Sequence, residues 1–283
     1  MTVDRPVSIP PTVLLFGPLD PTSAQFLTAD ALSCTHNGCH PVTVATAVHI
    51  QDTTALDHIK LLAPEYVHDQ MRCLLEDLQI DAIKAGPLYT VEQASVLGQI
   101  MADYAHLPLV LHLQSIPESG QVGTDQDIDE IVDAIFDLAL PFADLVVADQ
   151  LLLQQWQADG HLAARQHPAR SLIELGARAV LYTAAHIPEQ ANSYQLYTRQ
   201  GRLRQWPYIS QTARIQDTEG MLACVCATQL ARGRDLATAC DHALQFIYRA
   251  TEHVFQAGMG TRIINQSALC LSARTNQTDN HEA

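Results

Sequence analysis

Short apolar, β-branched runs alternate with amphipathic stretches along nearly the whole chain, and this order restricts the fold more than any single motif does. Val13–Phe16 reads as a strand, Ser23–Asn37 as a helix closed by Gly38 at the C′ position, and Pro41–Val48 as a second strand. From Leu62 the apolar positions Leu62, Tyr66, Val67, Met71, Leu74, Leu75 and Leu78 trace one helical face, with Pro64 near the start, where a missing N–H is harmless. Ala82-Ile83, Leu107–Leu113, Leu145–Ala148 and Ala179–Ala185 read as further strands, separated by helices over Val91–Tyr104 and Ile128–Leu138 and by two more helical stretches. A hairpin, Ser193–Thr198 and Leu203–Ile209 joined through Arg199–Arg202, precedes the last helices, Thr218–Arg232 and Asp235–Gln256. Such alternation predicts a three-layer α/β/α sandwich whose central sheet is mostly parallel and covered on both faces. The expected domain is 13–272, with an N-terminal extension at 1–12 and a polar tail at 273–283.

Ligands of such sheets sit at the carboxyl ends of the strands. Composition restricts what they can be. The net charge of -15 argues against nucleic acid and anionic membranes, which bind through clustered cations. At 47% hydrophobic residues, the chain can hold a core without disulfides or a structural metal. The early sequence has no signal-peptide h-region, no run reaches the ~18 apolar residues of a membrane span, and the seven cysteines lack disulfide spacing. A reduced, cytoplasmic protein is expected. Two finer counts concern phosphate: Lys60 and Lys84 are the only lysines, and the 13 glycines include no Gly-Gly pair and one G-x-G, Gly258-Met259-Gly260.

The segments that follow the strands resemble, in order, the hydroxymethylpyrimidine/phosphomethylpyrimidine kinases, within the ribokinase-like superfamily. Leu62-Ala63-Pro64-Glu65-Tyr66-Val67 through Asp81-Ala82-Ile83-Lys84-Ala85-Gly86-Pro87-Leu88 is similar to the family's P-E-F-V, helix, D-A-V-K-T-G-M-L. Asp20-Pro21 and Ala29-Asp30 match D-P-S-G-G-A-G-I-Q-A-D at unbroken spacing, and Thr46–Thr53 matches T-A-L-T-A-Q-N-T. Gly176–Leu181 matches the approach to K-G-G-H, and Leu230–Gly233 the end of the helix that follows G-T-G-C. The resemblance implies a ribokinase-like fold, a kinase of thiamine pyrimidine metabolism using ATP and Mg, and a homodimer. It also implies substrate contacts from Asp20, Asp30, Gln51 and Gly86, with Gln51 in the place of the glutamine that bonds the pyrimidine.

Phosphoryl transfer needs a phosphate cradle, cations and a group that orients the attacking hydroxyl. Against the family, the glycine-rich stretch S-G-G-A-G is Thr22-Ser23-Ala24-Gln25-Phe26, and G-T-G-C is Asp217-Thr218-Glu219-Gly220, so Gly220 stands where the catalytic cysteine is expected. Asp217 and Glu219 suit a helix N-terminus but repel phosphate, by about 4 kcal/mol for one pair at ~4 Å and an effective dielectric near 20. Thr183 replaces the lysine of K-G-G-H, Gln150 and Leu153 replace the magnesium-linked asparagine and glutamate, His112 replaces the D-P-V-M aspartate, and Glu118 the lysine after it. No metal site is expected. The cluster Cys34, His36, Cys39, His40 crosses a helix end into a strand start, so its side chains should diverge, and Cys224 and Cys226 read as core. His186 falls on the histidine of K-G-G-H.

Three readings remain open on these residues. The first is a kinase-like protein that keeps a pocket for a pyrimidine-like small molecule but has weak or lost phosphotransfer. The second is an active kinase for a pyrimidine or pyridoxal-like alcohol using other residues. The third is a regulatory subunit that pairs with an active homologue.

Overall fold

Nine strands form one sheet in the order β3-β2-β1-β4-β5-β6-β7-β8-β9. The computed structural model describes residues 9–123, 126–183, 193–208, 215 and 218–269. In chain order the elements are β1 (Thr12–Leu19), α1 (Phe26–His36), β2 (His40–Gln51), β3 (Leu56–Leu61), α2 (Pro64–Asp77), β4 (Ala82–Ala85), α3 (Val91–Asp103), β5 (Leu109–Leu113), the short turn α4 (Ser119–Val122) and α5 (Ile128–Ala134). Then come β6 (Leu145–Asp149), α6 (Gln150–Ala158), α7 (Pro168–Glu174), β7 (Ala179–Thr183), β8 (Ser193–Thr198), β9 (Gly201–Pro207), α8 (Thr218–Ala231), α9 (Leu236–Thr251), β10 (Val254–Phe255) and β11 (Ile263–Ile264). Strands β2, β1, β4, β5, β6 and β7 pair in parallel, and antiparallel strands close both edges, β3 at one and β8-β9 at the other.

The parallel strands are apolar throughout because both faces are covered. In β1, Leu14 and Phe16 join the core beneath α2, α3 and α5–α7, whereas Val13 and Leu15 join the core beneath α1, α8 and α9. All four are at most 1% exposed, as the two-residue period of a doubly covered strand requires. This is the expected α/β/α sandwich. Among the described residues no helix is long and apolar enough to cross a membrane.

Several expected boundaries move. Strand β3 has no counterpart in the sequence reading. It is an edge strand with only Ile59 fully buried, so Leu56-Asp57-His58-Ile59-Lys60-Leu61 carries no clean alternation. The last helix ends at Thr251, not Gln256, because Val254-Phe255 pairs antiparallel with Ile263-Ile264. The hairpin turn is Arg199-Gln200, with Gly201 at φ 112 already paired to Thr198. The helix read over Ile128–Leu138 is regular only to Ala134 and continues as a π turn and a 3-10 turn that contains Pro141.

One glycine fixes the distance between neighbouring parallel strands at their carboxyl ends. Gly86, just past β4, has φ 109 and donates its N–H to Phe16 O. A Cβ there would collide with the backbone carbonyl of His112 on β5. Gly86→Ala therefore combines a disfavoured φ with an overpacked strand end. It should destabilise the protein by about 2–5 kcal/mol, read from urea unfolding midpoints, whereas an effect below ~1 kcal/mol would contradict this packing.

Candidate functional site

Asp20, immediately after β1, is 1% exposed and organises the surrounding loop. One carboxylate oxygen, Oδ1, accepts from the Thr22 N–H at 2.8 Å, and Oδ2 accepts from the N–H groups of Ala24 at 3.1 Å and Gln25 at 3.0 Å. The Thr22 hydroxyl bonds both oxygens at 2.8 and 2.7 Å. These bonds hold Ser23 at φ 59 and Phe26 at φ 56, left-handed conformations that favour glycine. Both residues occupy glycine positions of the S-G-G-A-G pattern. The loop therefore keeps a glycine-type backbone without the glycines, held by a buried carboxylate.

The same carboxylate fixes the next three side chains. Gln51, at the end of β2, sends Nε2–H to Asp20 Oδ1 at 2.6 Å. An ionised carboxylate only accepts, so the Gln51 amide can point one way. Its Oε1 then faces His49 Nδ1 at 3.1 Å and the Gln25 amide at 3.4 Å. His49 must place its proton on Nδ1 to donate there, which leaves Nε2 to accept from the Tyr89 hydroxyl at 3.1 Å. Burial pushes the His49 pKa down, which keeps the ring neutral, as the chain requires. Phe26 packs against the ring, with centroids 5.0 Å apart at 67°.

Tyr89, His49 and Gln51 of this ordered relay line a cleft of about 400 Å³, while Asp20, which orients them, does not. The walls of the cleft include Asp52–Leu56, Gln114-Ser115, Thr261 and Ile263. The C-terminal wall is tied to the β2–β3 turn, because the N–H groups of Gly260 and Thr261 bond Thr53 Oγ1 and O at 3.1 and 3.0 Å. A Cβ on Gly260 would strike the Thr53 backbone, so the single G-x-G serves this closure. Gln51 Oε1 is already satisfied, and the second Nε2–H has no acceptor among the described residues. Gln51 thus offers a donor to the cleft.

The other expected residues fall into separate places. Asp30, on α1, is buried and paired with Lys84 Nζ at 2.6 Å, and Lys84 also bonds Gly86 O at 3.2 Å. Burial raises the Asp30 carboxyl and the Lys84 charge lowers it. Neither residue lines the cleft. His112 lies near this pair, and burial, with the Lys84 charge, holds it well below the ordinary histidine range. Its Nδ1 has no partner among the described residues.

The head of α8 carries Thr218, Glu219 and Gly220, while Asp217 and His186 lie outside the described residues. Burial raises the Glu219 carboxyl and the charge of Asp149, at the end of β6, raises it further. Asp149 is itself raised by burial and caps α6 through the N–H groups of Leu151 and Leu152 at 2.7 and 3.1 Å. The buried Thr183 hydroxyl bonds Ala148 O at 3.3 Å, and Leu153 is fully buried. Among the described residues, two carboxylates and no lysine or arginine are thus placed where the resemblance puts phosphate.

Sequence reasoning counted His49–Thr53 among the strand-end segments where a ligand could sit but gave His49 no role, and it missed Tyr89 as a cleft residue. The signal for His49 was available, since residues two apart on a strand share a face and Gln51 was already singled out. Tyr89 follows its matched motif by one residue and had no such signal. The Cys34–His40 cluster diverges only in part: Cys34 and Cys39 are both buried and meet across the α1–β2 turn, while His40 is exposed. Among the described residues no three His, Cys, Asp or Glu side chains group as metal ligands.

The family profile for phosphomethylpyrimidine kinase matches residues 20–265. Thiamine biosynthetic bifunctional enzyme TH1, chloroplastic, from Arabidopsis thaliana is 28% identical over 259 residues, covering 89% of this chain but 49% of its own, so the chain spans about half the length of that relative. A hydroxymethylpyrimidine/phosphomethylpyrimidine kinase from Staphylococcus aureus is 23% identical, covering 92% of this chain and 94% of its own. Among solved structures, an ADP complex of Bacillus subtilis pyridoxal kinase aligns with a TM-score of 0.77 at 16% identity over 93% of this chain and 99% of that one. Phosphomethylpyrimidine kinase from Clostridium difficile gives 0.69 at 17% identity over 85% and 99%. These structural likenesses establish the ribokinase-like fold.

The acidic pair has a pH signature. A carboxyl raised on folding binds more protons folded than unfolded, so its contribution is full below the ordinary glutamate value of 4.5 and is lost as pH rises through the raised value. Asp149→Asn removes one source of that rise and keeps the α6 cap. Its stability relative to wild type should grow between about pH 4 and 7, measured by urea denaturation. A difference that does not change with pH would mean the two carboxylates do not interact.

Proposed function

Because the chain belongs to the phosphomethylpyrimidine kinase family, we propose that its Gln51 cleft holds a pyrimidine-like alcohol of thiamine metabolism while ATP-dependent phosphotransfer is weak or lost. The observation that carries this reading is the head of α8. There burial and the charge of Asp149 both raise the Glu219 carboxyl, and Gly220 stands where the resemblance puts the side chain that would act as base.

ATP and Mg, which the family implies, do not fit the residues at this end. The Ala24 and Gln25 amides are taken up by Asp20, and the lysine position is the inward-bonded Thr183. The positions linked to Mg are Gln150 and the buried Leu153, and an aliphatic side chain ligates no cation. Losing one preorganised donor commonly costs ~10²–10³ in rate, and several are missing together. The substrate end supports the other half of the reading. An oriented Gln51 N–H suits a ring nitrogen that accepts, and His49, Phe26 and Tyr89 supply flat apolar surface beside it.

Titration calorimetry separates the two ends. Hydroxymethylpyrimidine should bind wild type saturably and Gln51→Ala at least tenfold more weakly, while Mg-ATP should give no saturable heat up to millimolar concentration. Tight Mg-ATP binding would overturn the lost-transfer half. Absence of pyrimidine binding, with unchanged thermal stability, would overturn the pocket half.

A further inference from the structure

A second cavity, of about 670 Å³, shares no lining residue with the Gln51 cleft. It is lined by the C-terminal ends of α1 and α8, by one face of α9, where His242, Phe246 and Arg249 follow the i, i+4, i+7 spacing of a single helical stripe, and by His253 just past that helix. We propose that this cavity is a binding site for a small polyanion, a phosphorylated metabolite carrying at least two negative charges.

Charge placement carries the inference. In a chain of net charge -15, Arg232, Arg234 and Arg249 all open into this one cavity. None of the three has an ion-pair partner among the described residues. The nearby carboxylates are committed elsewhere: Asp241 accepts from Arg204 at 2.7 Å and from Trp206 Nε1 at 2.6 Å, and Asp235 caps α9 through the N–H and hydroxyl of Thr238 at 3.0 and 2.7 Å. Glu252 is the only acidic lining residue among the described residues.

The three guanidinium groups also act on a common point. Burial lowers the His242 pKa, and Arg249, Arg232 and Arg234 each lower it further. The buried Nδ1 of His242 has no partner among the described residues. Arg232 is held in place by donating to the carbonyls of Asn37 and Gly38 at 2.6 and 3.0 Å, so part of the cationic wall is preorganised.

Helix ends explain some of this charge. Three helix C-termini reach the cavity, each equivalent to about half a negative charge, and each favours a cation in its last turn. Together with Glu252 that offsets most of three guanidiniums and leaves an excess of about half a charge that an anion would neutralise. The volume lies in the range of small-molecule sites, about 300–1,000 Å³.

The test is calorimetric titration of the full chain with sodium pyrophosphate at fixed ionic strength. Saturable binding is expected. It should weaken at least tenfold in the Arg234→Gln/Arg249→Gln double variant and stay unchanged in Arg72→Gln, which removes the same kind of charge from an exposed ion pair on α2, on the other face of the sheet. Arg234 and Arg249 are exposed, so the double variant should fold, as circular-dichroism melting would verify. Glu252→Gln should strengthen binding two- to threefold. Absence of saturable pyrophosphate binding to wild type would overturn the proposal, as would equal affinity in the double variant.

Discussion

The buried carboxylate of Asp20 is the interaction on which the site depends. It accepts from three backbone amides and a hydroxyl in the loop after β1, and from the Gln51 amide at the end of β2. A buried carboxylate without donors is costly, so the loop conformation and the carboxylate require each other. The bonds hold Ser23 and Phe26 in left-handed backbone and orient Gln51, which in turn sets the histidine tautomer and the tyrosine hydroxyl. Two parallel strands meeting at their carboxyl ends are thereby joined into one rigid cleft floor.

A second buried pair, Lys84 and Asp30, ties α1 to the end of β4 beneath that floor. Such a pair contributes little net stability over an apolar replacement, but losing one partner leaves the other charge uncompensated. Its placement explains why two residues at matched family positions need not touch a ligand. The charge distribution among the described residues is then uneven: Glu219 and Asp149 act on each other near the head of α8, where the family resemblance places phosphate, and arginines without an ion-pair partner gather at the C-terminal ends of α8 and α9.

The fold was legible because its strands are buried on both faces. Runs such as Val13–Phe16 and Leu145–Ala148 have no polar interruption, and the helices between them show their periodicity plainly. What escaped was marginal in burial or set by tertiary contact. Strand β3 buries little, and Val254-Phe255 leaves its helix only because Ile263-Ile264 lies beside it. At the site, Asp20 and Gln51 were visible through spacing, but their mutual bond was not, since 31 residues separate them. Asp30 matched in type and spacing, yet its carboxylate turns to Lys84, a choice made by packing.

The central claim is that the cleft keeps its acceptor end and has lost its phosphate-handling end. Steady-state ADP release with saturating Mg-ATP and hydroxymethylpyrimidine tests it most directly. The account predicts no release above the pyrimidine-free blank. Pyrimidine-dependent ADP release at rates of about 1 s⁻¹ or more, within the ordinary range of enzyme turnover, would contradict it.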